Sequence, residues 1–209
     1  MIKTFKLILG VVWLFTFTMA NAQQASTETI KGSPYLNEEF VEGVITYANK
    51  CLTVPMRYNA YRDLIEYKQN GQTMELDASL IIKKIKFGNS TFVAEKYQSN
   101  GKSKLGYFEL LDSGSVMLYA KKTVAFVPGK KGGALDGSDD PARFKPPVST
   151  FYFKIGDGAL MEVENLKSMI AALPDRQDEL TQFAKKEKIS HRNEKEMIRL
   201  VQYYNSLRG

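Results

Sequence analysis

The feature that most constrains the fold is a series of short runs, from Phe40 to Val163, in which apolar and polar residues alternate. The runs are rich in Val, Ile, Tyr, Phe and Thr, and turn residues separate them. Alternation with a period of two places the apolar side chains on one face of a strand. Short strands that follow one another with turns between them are typical of an antiparallel β-meander. We therefore expect a curved sheet, a sandwich or an open barrel.

Glycine-containing turns mark where the predicted strands reverse. Pairs of one asparagine and one glycine separate neighbouring runs at positions 70–71, 88–89 and 100–101. The Asn-Gly pair at 70–71 is the clearest hairpin signal, because both residues readily adopt the positive φ angles of a type I′ turn. Another run, residues 52–58, contains Pro55, which predicts an edge or a bulge at that position.

After Glu164 the apolar period changes from 2 to 3.6, which predicts helices. Pro174 ends the first helix, and Asp175 is the expected cap of the second. Asn193, with Glu196 three residues later, resembles a capping box that opens a third. The predicted buried faces are Leu166, Met169, Ile170 and Leu173, then Leu180, Phe183 and Ala184, then Met197, Leu200, Val201 and Tyr204. Because such short helices need a partner surface, the predicted fold class is α+β, mainly β, with three short C-terminal helices packed on the sheet.

The N-terminus has the pattern of a cleavable secretory signal peptide, residues 1–22. Lys3 and Lys6 precede an apolar stretch, residues 7–19, and the small residues Ala20 and Ala22 end the segment. A membrane anchor is the alternative, but 13 apolar residues reach only about 20 Å as a helix, less than a hydrocarbon core of about 30 Å. We expect cleavage before Gln23 and an exported, soluble chain in the periplasm or outside the cell.

The mature chain divides into three predicted parts. Residues 23–37 are polar and form an extended lead-in, and residues 38–163 form the β-rich domain. Within that domain, residues 129–147 hold four glycines and three prolines, which predicts a flexible loop that buries little. Residues 164–209 form the C-terminal helical region.

Charge and cysteine content exclude two classes of protein. The mature chain carries 27 basic and 23 acidic residues, a net charge of +4 that is too small to indicate a dedicated nucleic-acid binder. Cys51 is the sole cysteine, so no disulfide forms within the chain and core packing must supply the stability. We expect Cys51 to be a small, half-buried side chain.

Fragments of two known motifs occur at a predicted turn, one from nucleotide-binding proteins and one from acyl-transfer enzymes. Gly101, Lys102 and Ser103 match the end of a phosphate-binding loop, but Lys96 occupies the position that requires glycine. Ser99 and Lys102 have Ser-x-x-Lys spacing, yet the accompanying Ser-Asp-Asn and Lys-Thr-Gly motifs are absent. Both fragments are interpreted as parts of a hairpin turn.

His191 is the sole histidine and lies in a polar stretch before the third helix. With one histidine and one cysteine, the sequence supplies neither a Gly-x-Ser-x-Gly hydrolase nor a zinc site. Asp136, Asp139 and Asp140 offer oxygen ligands for a cation, but their spacing is not that of an EF-hand. We interpret them as solvated loop acids and predict no catalytic, cofactor-binding or metal-binding residue.

Five lysines on predicted strands, Lys83, Lys84, Lys86, Lys121 and Lys122, raise the question of a basic patch. Alternation places them on both faces of their strands. They are therefore interpreted as solvated strand surface or edge protection, and the aromatic residues as sheet core.

Three stretches support a family resemblance: residues 32–37 (GSPYLN), residues 56–59 (MRYN) and residues 200–207 (LVQYYNSL). With these motifs the chain resembles an uncharacterised family of exported proteins from Bacteroidetes-type bacteria. The resemblance implies a Gram-negative cell envelope setting and no known activity.

The function expected from these patterns is that of a non-enzymatic envelope protein, either a structural module or one that binds a protein or cell-surface partner. The alternative is a periplasmic carrier that holds a lipid or other apolar ligand between the sheet and the helices. A third possibility is a glycan hydrolase, whose two carboxylates a sequence does not reveal. No cofactor and no transmembrane segment after signal cleavage are expected.

Overall fold

The structure, a computed structural model, describes residues 30–47, 50–79, 82–132, 137 and 139–208. The predicted leader, its cleavage site and Asp136 lie outside the described residues, as does the side chain of Lys83.

The described residues form an antiparallel sheet of ten strands and a small sheet of two. The large sheet has the strand order β12-β11-β8-β7-β6-β5-β1-β2-β3-β4, and β9 pairs with β10 in the small one. The strands are β1 (Val41–Tyr47), β2 (Lys50–Asn59), β3 (Leu64–Gln69), β4 (Gln72–Glu75), β5 (Ile82–Phe87), β6 (Ser90–Ser99), β7 (Lys102–Asp112), β8 (Val116–Thr123), β9 (Phe126–Val127), β10 (Arg143–Phe144), β11 (Val148–Ile155) and β12 (Met161–Glu162).

Three helices follow the sheet, α1 (Leu166–Ala172), α2 (Gln177–Lys186) and α3 (Glu194–Ser206). The predicted fold class, mainly β with three C-terminal helices, is confirmed, and the large sheet is curved and not closed. No helix among the described residues is long and apolar enough to cross a membrane.

The predicted turns form as the sequence indicates. Asn70 and Gly71 have φ angles of 51° and 76° and join β3 to β4. Asn100 and Gly101 have φ angles of 52° and 72° and join β6 to β7. Pro55 pairs with Glu42 of β1, and it lies one residue before the pairing of β2 with β3 begins. The proline thus occupies a stretch of β2 that has no described partner on its β3 side.

One face of the large sheet, the inner face, carries most of the core. On β8 and β11 the three helices cover this face, and we call β7, β8, β11, β12 and α1–α3 the helix-covered half. Its core consists of Val116, Leu118, Ala120, Phe151, Phe153, Val163, Met169, Ile170, Leu173, Leu180, Ala184, Ile189, Met197, Leu200, Val201 and Tyr204. Every predicted apolar position of the helices except Leu166 and Phe183, which are partly buried, belongs to this core.

The other part of the sheet, β1–β6, curls until it touches the helix-covered half, and we call it the curled half. The Tyr58 hydroxyl lies 3.4 Å from the Lys122 carbonyl oxygen, although four strands separate β2 from β8 in the sheet. Its core lies inside the curl and consists of Ile45, Val54, Met56, Tyr58, Ala60, Ile65, Ile85, Phe87, Phe92, Tyr107 and Val124.

The opposite face carries a smaller aromatic cluster around Phe108, Tyr119 and Tyr152. The rings of Phe108 and Tyr152 meet edge to face with centroids 5.1 Å apart, and Tyr97 packs against both. The structure therefore confirms that the strand aromatic residues are mostly core.

Two of the predicted helix starts differ in detail. Asn193 caps α3 as expected, since its side chain accepts a hydrogen bond from the Glu196 amide. The Glu196 carboxylate, however, reaches the Ser190 amide instead of Asn193, so the capping box is incomplete. The expected cap of α2 is wrong: Arg176 occupies the cap position without a capping hydrogen bond from its side chain, and Asp175 accepts a hydrogen bond from the Tyr204 hydroxyl.

Candidate functional site

A cleft of about 340 Å³ opens where the helix-covered half meets the curled half, and we call it the central cleft. Its walls combine apolar, polar and charged side chains. It is lined by Leu36, Asn37, Phe87, Gly88, Asn89, Ser90, Phe92, Glu109, Lys122, Pro147, Ser149 and Glu194. Such convergence of several elements on one concave surface is the usual geometry of a binding site.

Three charged side chains form an ion-paired row in the central cleft. The Lys122 ammonium contacts the carboxylates of Glu109, at 3.5 Å, and of Glu194. Glu109 also accepts a hydrogen bond of 2.6 Å from the Ser90 hydroxyl. Glu109 and Lys122 are mostly buried, whereas Glu194 is more exposed. The row therefore holds two carboxylates against one ammonium, an excess of one negative charge.

The sequence places these groups through three local features. The Gly88-Asn89 turn, in which Gly88 has a φ of 55°, connects β5 to β6. Ser90, the first residue of β6, therefore pairs with Phe87. Glu109 is opposite Phe92 in the β6–β7 ladder, so both point to the inner face. Glu194 is the first residue of α3, directly after its Asn193 cap.

A buried ion pair, Asp63 with Lys121, connects the turn between β2 and β3 to β8. The Lys121 ammonium donates a 2.6 Å hydrogen bond to the Asp63 carboxylate and lies over the rings of Tyr97 and Phe108. Lys121 is only 6% exposed. Burial lowers the pKa of Lys121, and the charge of Asp63 partly opposes that effect. The expectation of a solvated lysine on the strand surface is wrong for Lys121 and also for Lys122, which ion pairs immobilise in the cleft.

Asp63 belongs to the turn between β2 and β3, and this turn fits between β7 and β8 where they separate. The pairing of β7 with β8 ends at Glu109 and Ala120. Beyond it, the Tyr107 amide donates to the Asp63 carboxylate at 3.3 Å, and the Val124 amide donates to the Ala60 carbonyl at 3.2 Å. The turn thus supplies acceptors for amides that lack a strand partner, which buried amides require.

Gly106 makes room for this contact. A Cβ atom there would lie 2.6 Å from an Asp63 carboxylate oxygen and 2.7 Å from the Lys121 ammonium. Any side chain at Gly106 would therefore force the ion pair to move.

Buried tyrosines surround the ion pair. Tyr58 donates a 2.7 Å hydrogen bond to Asp63, and Tyr107 donates one of 2.9 Å to the Leu76 carbonyl. Burial and the nearby Asp63 charge raise the pKa of both hydroxyls. Burial also raises the pKa of Tyr119 to about 12. These hydroxyls therefore stay protonated through neutral pH and act as donors.

Two of the three resemblance motifs meet at Arg57. Its guanidinium lies 3.6 Å from the ring centroid of Tyr35 and 4.3 Å from that of Phe40, and it forms two hydrogen bonds, of 2.9 and 2.7 Å, with Glu66. The Pro34 carbonyl accepts from the Ala60 amide at 2.8 Å. The described part of the lead-in is thus fixed to β2 and β3.

The third motif connects α3 to the sheet. The Asn205 amide group bonds to both the N–H and the C=O of Val116, and to the Asp112 carboxylate. Gly114 leaves space for it, since a Cβ there would lie 2.6 Å from the Asn205 side chain. All three motifs therefore have structural roles in the molecule.

The remaining singled-out residues lie elsewhere. Cys51 is exposed, so the expectation that it is half-buried is wrong; it lies on the face of β2 opposite Met56. Gly101 lies in the β6–β7 turn, as predicted. His191 is half-buried in a turn before α3. Lys84 and Lys86 are exposed on β5, as expected.

The segment predicted as a flexible loop is tied down at its described ends. The backbones of Lys130 and Asp140 exchange two hydrogen bonds, and Asp140 also binds Arg143 through its side chain. Asp139 accepts from the Gly132 amide. Among the described residues no group of three metal-ligating side chains occurs.

A second concave surface, the helix groove, lies between α1 and α2. It has a volume of about 360 Å³ and is mainly apolar, lined by Leu166, Lys167, Ile170, Ala171, Gln177, Thr181 and Ala184. By contrast, the gap around Met169, Leu180 and Val201, between the helices and the sheet, has no room for a water-sized molecule.

The chain matches no protein-family model, no curated protein and no solved structure. The resemblance to exported Bacteroidetes-type proteins therefore stays a prediction.

Proposed function

We propose that the protein is an exported, non-enzymatic protein of the cell envelope, and that it binds a partner protein through the central cleft. The ion-paired row of Glu109, Lys122 and Glu194 is the observation that supports this proposal. Both carboxylates are held by the Lys122 ammonium, which favours recognition over proton transfer. The row still has one negative charge in excess, beside the apolar side chains of Leu36 and Pro147.

The partner group that fits this chemistry is a lysine or arginine side chain. Its cationic head would bind the Glu194 oxygen that Lys122 does not contact and lie close to the Glu109 carboxylate, and its aliphatic stem would lie against Leu36 and Pro147. Charge-assisted hydrogen bonds of this kind are stronger than neutral ones. Because dissolved ions screen the attraction between charged groups, the interaction should weaken as the salt concentration rises.

Glycoside hydrolysis is the enzymatic alternative, since Glu109 and Glu194 face the same cleft. That reaction needs one carboxyl group that carries a proton and a second that is charged. Here Lys122 contacts both carboxylates. Turnover of a glycan panel by the purified mature chain, abolished by Glu109→Gln, would contradict a non-enzymatic function.

Site-specific photo-crosslinking in cells tests the partner proposal. A photoreactive residue at Asn89, an exposed position on the cleft rim, should capture a partner protein, whereas the same residue at Gln182 on α2 should not. The double variant Glu109→Gln, Glu194→Gln keeps the shape of both side chains and should reduce the Asn89 adduct at least about tenfold, as expected for the loss of charged hydrogen bonds.

Glu179→Gln is the matched control, because Glu179 is an exposed, ion-paired glutamate on α2 outside the cleft. The Asn89 adduct should survive in this variant. An adduct that is equally strong in the cleft double variant, or one that forms equally at Gln182, would contradict binding at the central cleft.

The helix groove favours a second candidate function, transport of an apolar ligand. Its lining is mainly apolar, and its volume of about 360 Å³ is in the range of small-molecule sites. Native mass spectrometry of gently purified protein tests this function. A co-purifying lipid that Ala171→Trp displaces supports it, and a ligand-free spectrum with no lipid-induced rise in melting temperature counts against it.

A further inference from the structure

A cluster of three aromatic rings lies at the small β9–β10 sheet, and none of the three lines the central cleft. Tyr61, Phe126 and Phe144 contact one another with ring centroids 5.0 to 6.3 Å apart. Tyr61 is 51% exposed and Phe126 36%. Ile30 is 50% exposed and precedes Lys31, whose carbonyl accepts a hydrogen bond from the Phe144 amide. Exposed apolar groups gathered in this way mark an interaction surface.

Basic residues flank this aromatic cluster. Lys31 and Arg143 form a β-bridge, and the Lys145 amide bonds to the Ala125 carbonyl, next to Phe126. In the described parts of 30–32 and 125–147, five bases accompany two acids, namely Lys31, Lys130, Lys131, Arg143 and Lys145 with Asp139 and Asp140. The hydrogen bond from Arg143 and the charges of Lys130 and Lys31 lower the pKa of Asp140, which places these bases close together.

The chemistry of this surface favours lipid over sugar as the occupant. Sugar recognition uses a flat ring face together with amides or acids that bind hydroxyl groups. Here the rings are tilted by 54° to 66° against one another. Asp140 is engaged by Arg143, and Asp139 by the Gly132 amide. Aromatic and aliphatic tips surrounded by lysine and arginine are the composition of proteins that rest on anionic membranes.

We propose that the aromatic cluster docks on the surface of an anionic phospholipid bilayer. Tyr61, Phe126 and Ile30 enter the boundary between headgroups and acyl chains, and the flanking bases bind the lipid phosphates. The attraction between the bases and the lipid phosphates extends over about a Debye length, of order 10 Å. Bases on both sides of the two-stranded β9–β10 sheet therefore contribute. The processed chain would thus be held at the membrane without a lipid anchor.

A single tryptophan reports on the docking directly. Trp13 is the sole tryptophan and lies in the leader, so Phe126→Trp gives the mature chain one indole. Vesicles of phosphatidylcholine with about 30% phosphatidylglycerol should shift its emission to the blue, and brominated lipids should quench it. Gln182→Trp on α2 is the control and should show neither effect. Emission of the Phe126→Trp protein that no vesicle changes would overturn the proposal.

Co-sedimentation with the same vesicles tests the basic residues. Lys130→Glu with Lys145→Glu should lower the partition coefficient more than tenfold, since each basic residue near the surface contributes about fivefold. Lys185→Glu with Lys186→Glu on α2 changes the net charge equally and should lower it less than threefold. Equal losses in the two pairs, or binding to neutral vesicles as strong as to anionic ones, would overturn the proposal. A soluble anionic polysaccharide that shifts the Phe126→Trp emission as much as vesicles do would also overturn the assignment to lipid.

Discussion

The helix-covered half and the curled half bury the same face of one sheet by different means. In the helix-covered half, aliphatic side chains of α1–α3 seal β8 and β11, and Met197 and Leu180 are fully buried there. In the curled half the sheet folds over its own core, around Met56 and Ile65. The edge of the curl is then fixed by charged and polar contacts, with the pair of Asp63 and Lys121 at the centre.

The difference explains where the central cleft lies. The cover that the helices provide stops at Glu194, the N-terminal residue of α3, and the curl begins at β6. The inner face is therefore uncovered between Glu194 and β6. A ligand site at this place needs no specialised loop. It forms because helices cover one half of the inner face and the curled sheet covers the other. Both halves must therefore be in place for Glu109, Lys122 and Glu194 to meet.

We expect the largest effect from a substitution that breaks the ion pair between Asp63 and Lys121 in the curled half. Asp63→Ala leaves the Lys121 ammonium buried without its carboxylate, and such losses lower the free energy of unfolding by about 3–5 kcal/mol. Urea denaturation measures the change. The double variant Asp63→Ala, Lys121→Met removes the unpaired charge, so it should be more stable than Asp63→Ala alone. A double variant less stable than the single one would contradict a paired charge at this position.

Matched cavity variants compare the two cores. Leu200→Ala in α3 and Met56→Ala in β2 each remove a buried side chain and should lower the free energy of unfolding by about 2–5 kcal/mol. Because β5 to β8 form continuous ladders, both variants should still unfold in one cooperative transition. Two separate transitions, by circular dichroism and by tyrosine fluorescence, would indicate that the halves fold independently.

Alkaline pH should lower the free energy of unfolding, and Tyr58 and Tyr107 in the core of the curled half contribute to this effect. Burial raises the folded-state pKa of Tyr58 and Tyr107 above 10, the value for the unfolded chain, so the folded state keeps protons that the unfolded chain loses. Stability is therefore full below pH 10 and falls above it, by at most about 1.4 kcal/mol per pH unit for each tyrosine. The lowered pKa of Lys121 has the opposite effect, because it makes the free energy of unfolding rise with pH up to about pH 10.5. This one group opposes the two tyrosines.

The measurement is urea denaturation between pH 8 and pH 11, with Tyr58→Phe as the comparison. This variant should show a shallower decline above pH 10 than the wild type. Identical slopes would mean that Tyr58 ionises equally in both states.

The smallest effect concerns the tie between α3 and the sheet. Asn205→Ala removes three hydrogen bonds to Val116 and Asp112, and it should lower the free energy of unfolding by about 1–3 kcal/mol. Thermal unfolding checks this value. Glu179→Gln, which breaks an exposed ion pair on α2, is the control and should change it by less than about 0.5 kcal/mol. A loss in the control as large as in Asn205→Ala would contradict the role given to Asn205.

The local pattern of the chain predicts most of the fold. Turns such as Asn70-Gly71 and the helical face around Leu200 depend on neighbours in sequence, and both form as expected. The roles of Lys121 and Lys122 could not be predicted in this way. Alternation assigns a strand residue to a face, but it does not reveal that β7 and β8 separate or that a distant turn fills the gap.

The central cleft escaped prediction for the same reason. Ser90, Glu109 and Glu194 are unremarkable where they occur in the sequence, and only the curl and the helices bring them together. Two local signals bear on its position: the turn at 88–89, which precedes Ser90, and Asn193 with Glu196, which predicts the start of α3 and therefore Glu194. The contact of Asp63 with Tyr107 has no sequence signal that we can identify.

Amide hydrogen exchange at Tyr107, followed by NMR in a chain that begins at Gln23, tests most directly whether the two halves form one body. Tyr107 has no partner on β8, and its amide donates to Asp63 of the inserted turn. A turn seated between β7 and β8 predicts slow exchange at Tyr107 in the wild type and fast exchange in Asp63→Ala. Fast exchange of the wild-type Tyr107 amide, while Phe92 and Ala120 remain protected, would contradict the contact on which the cleft depends.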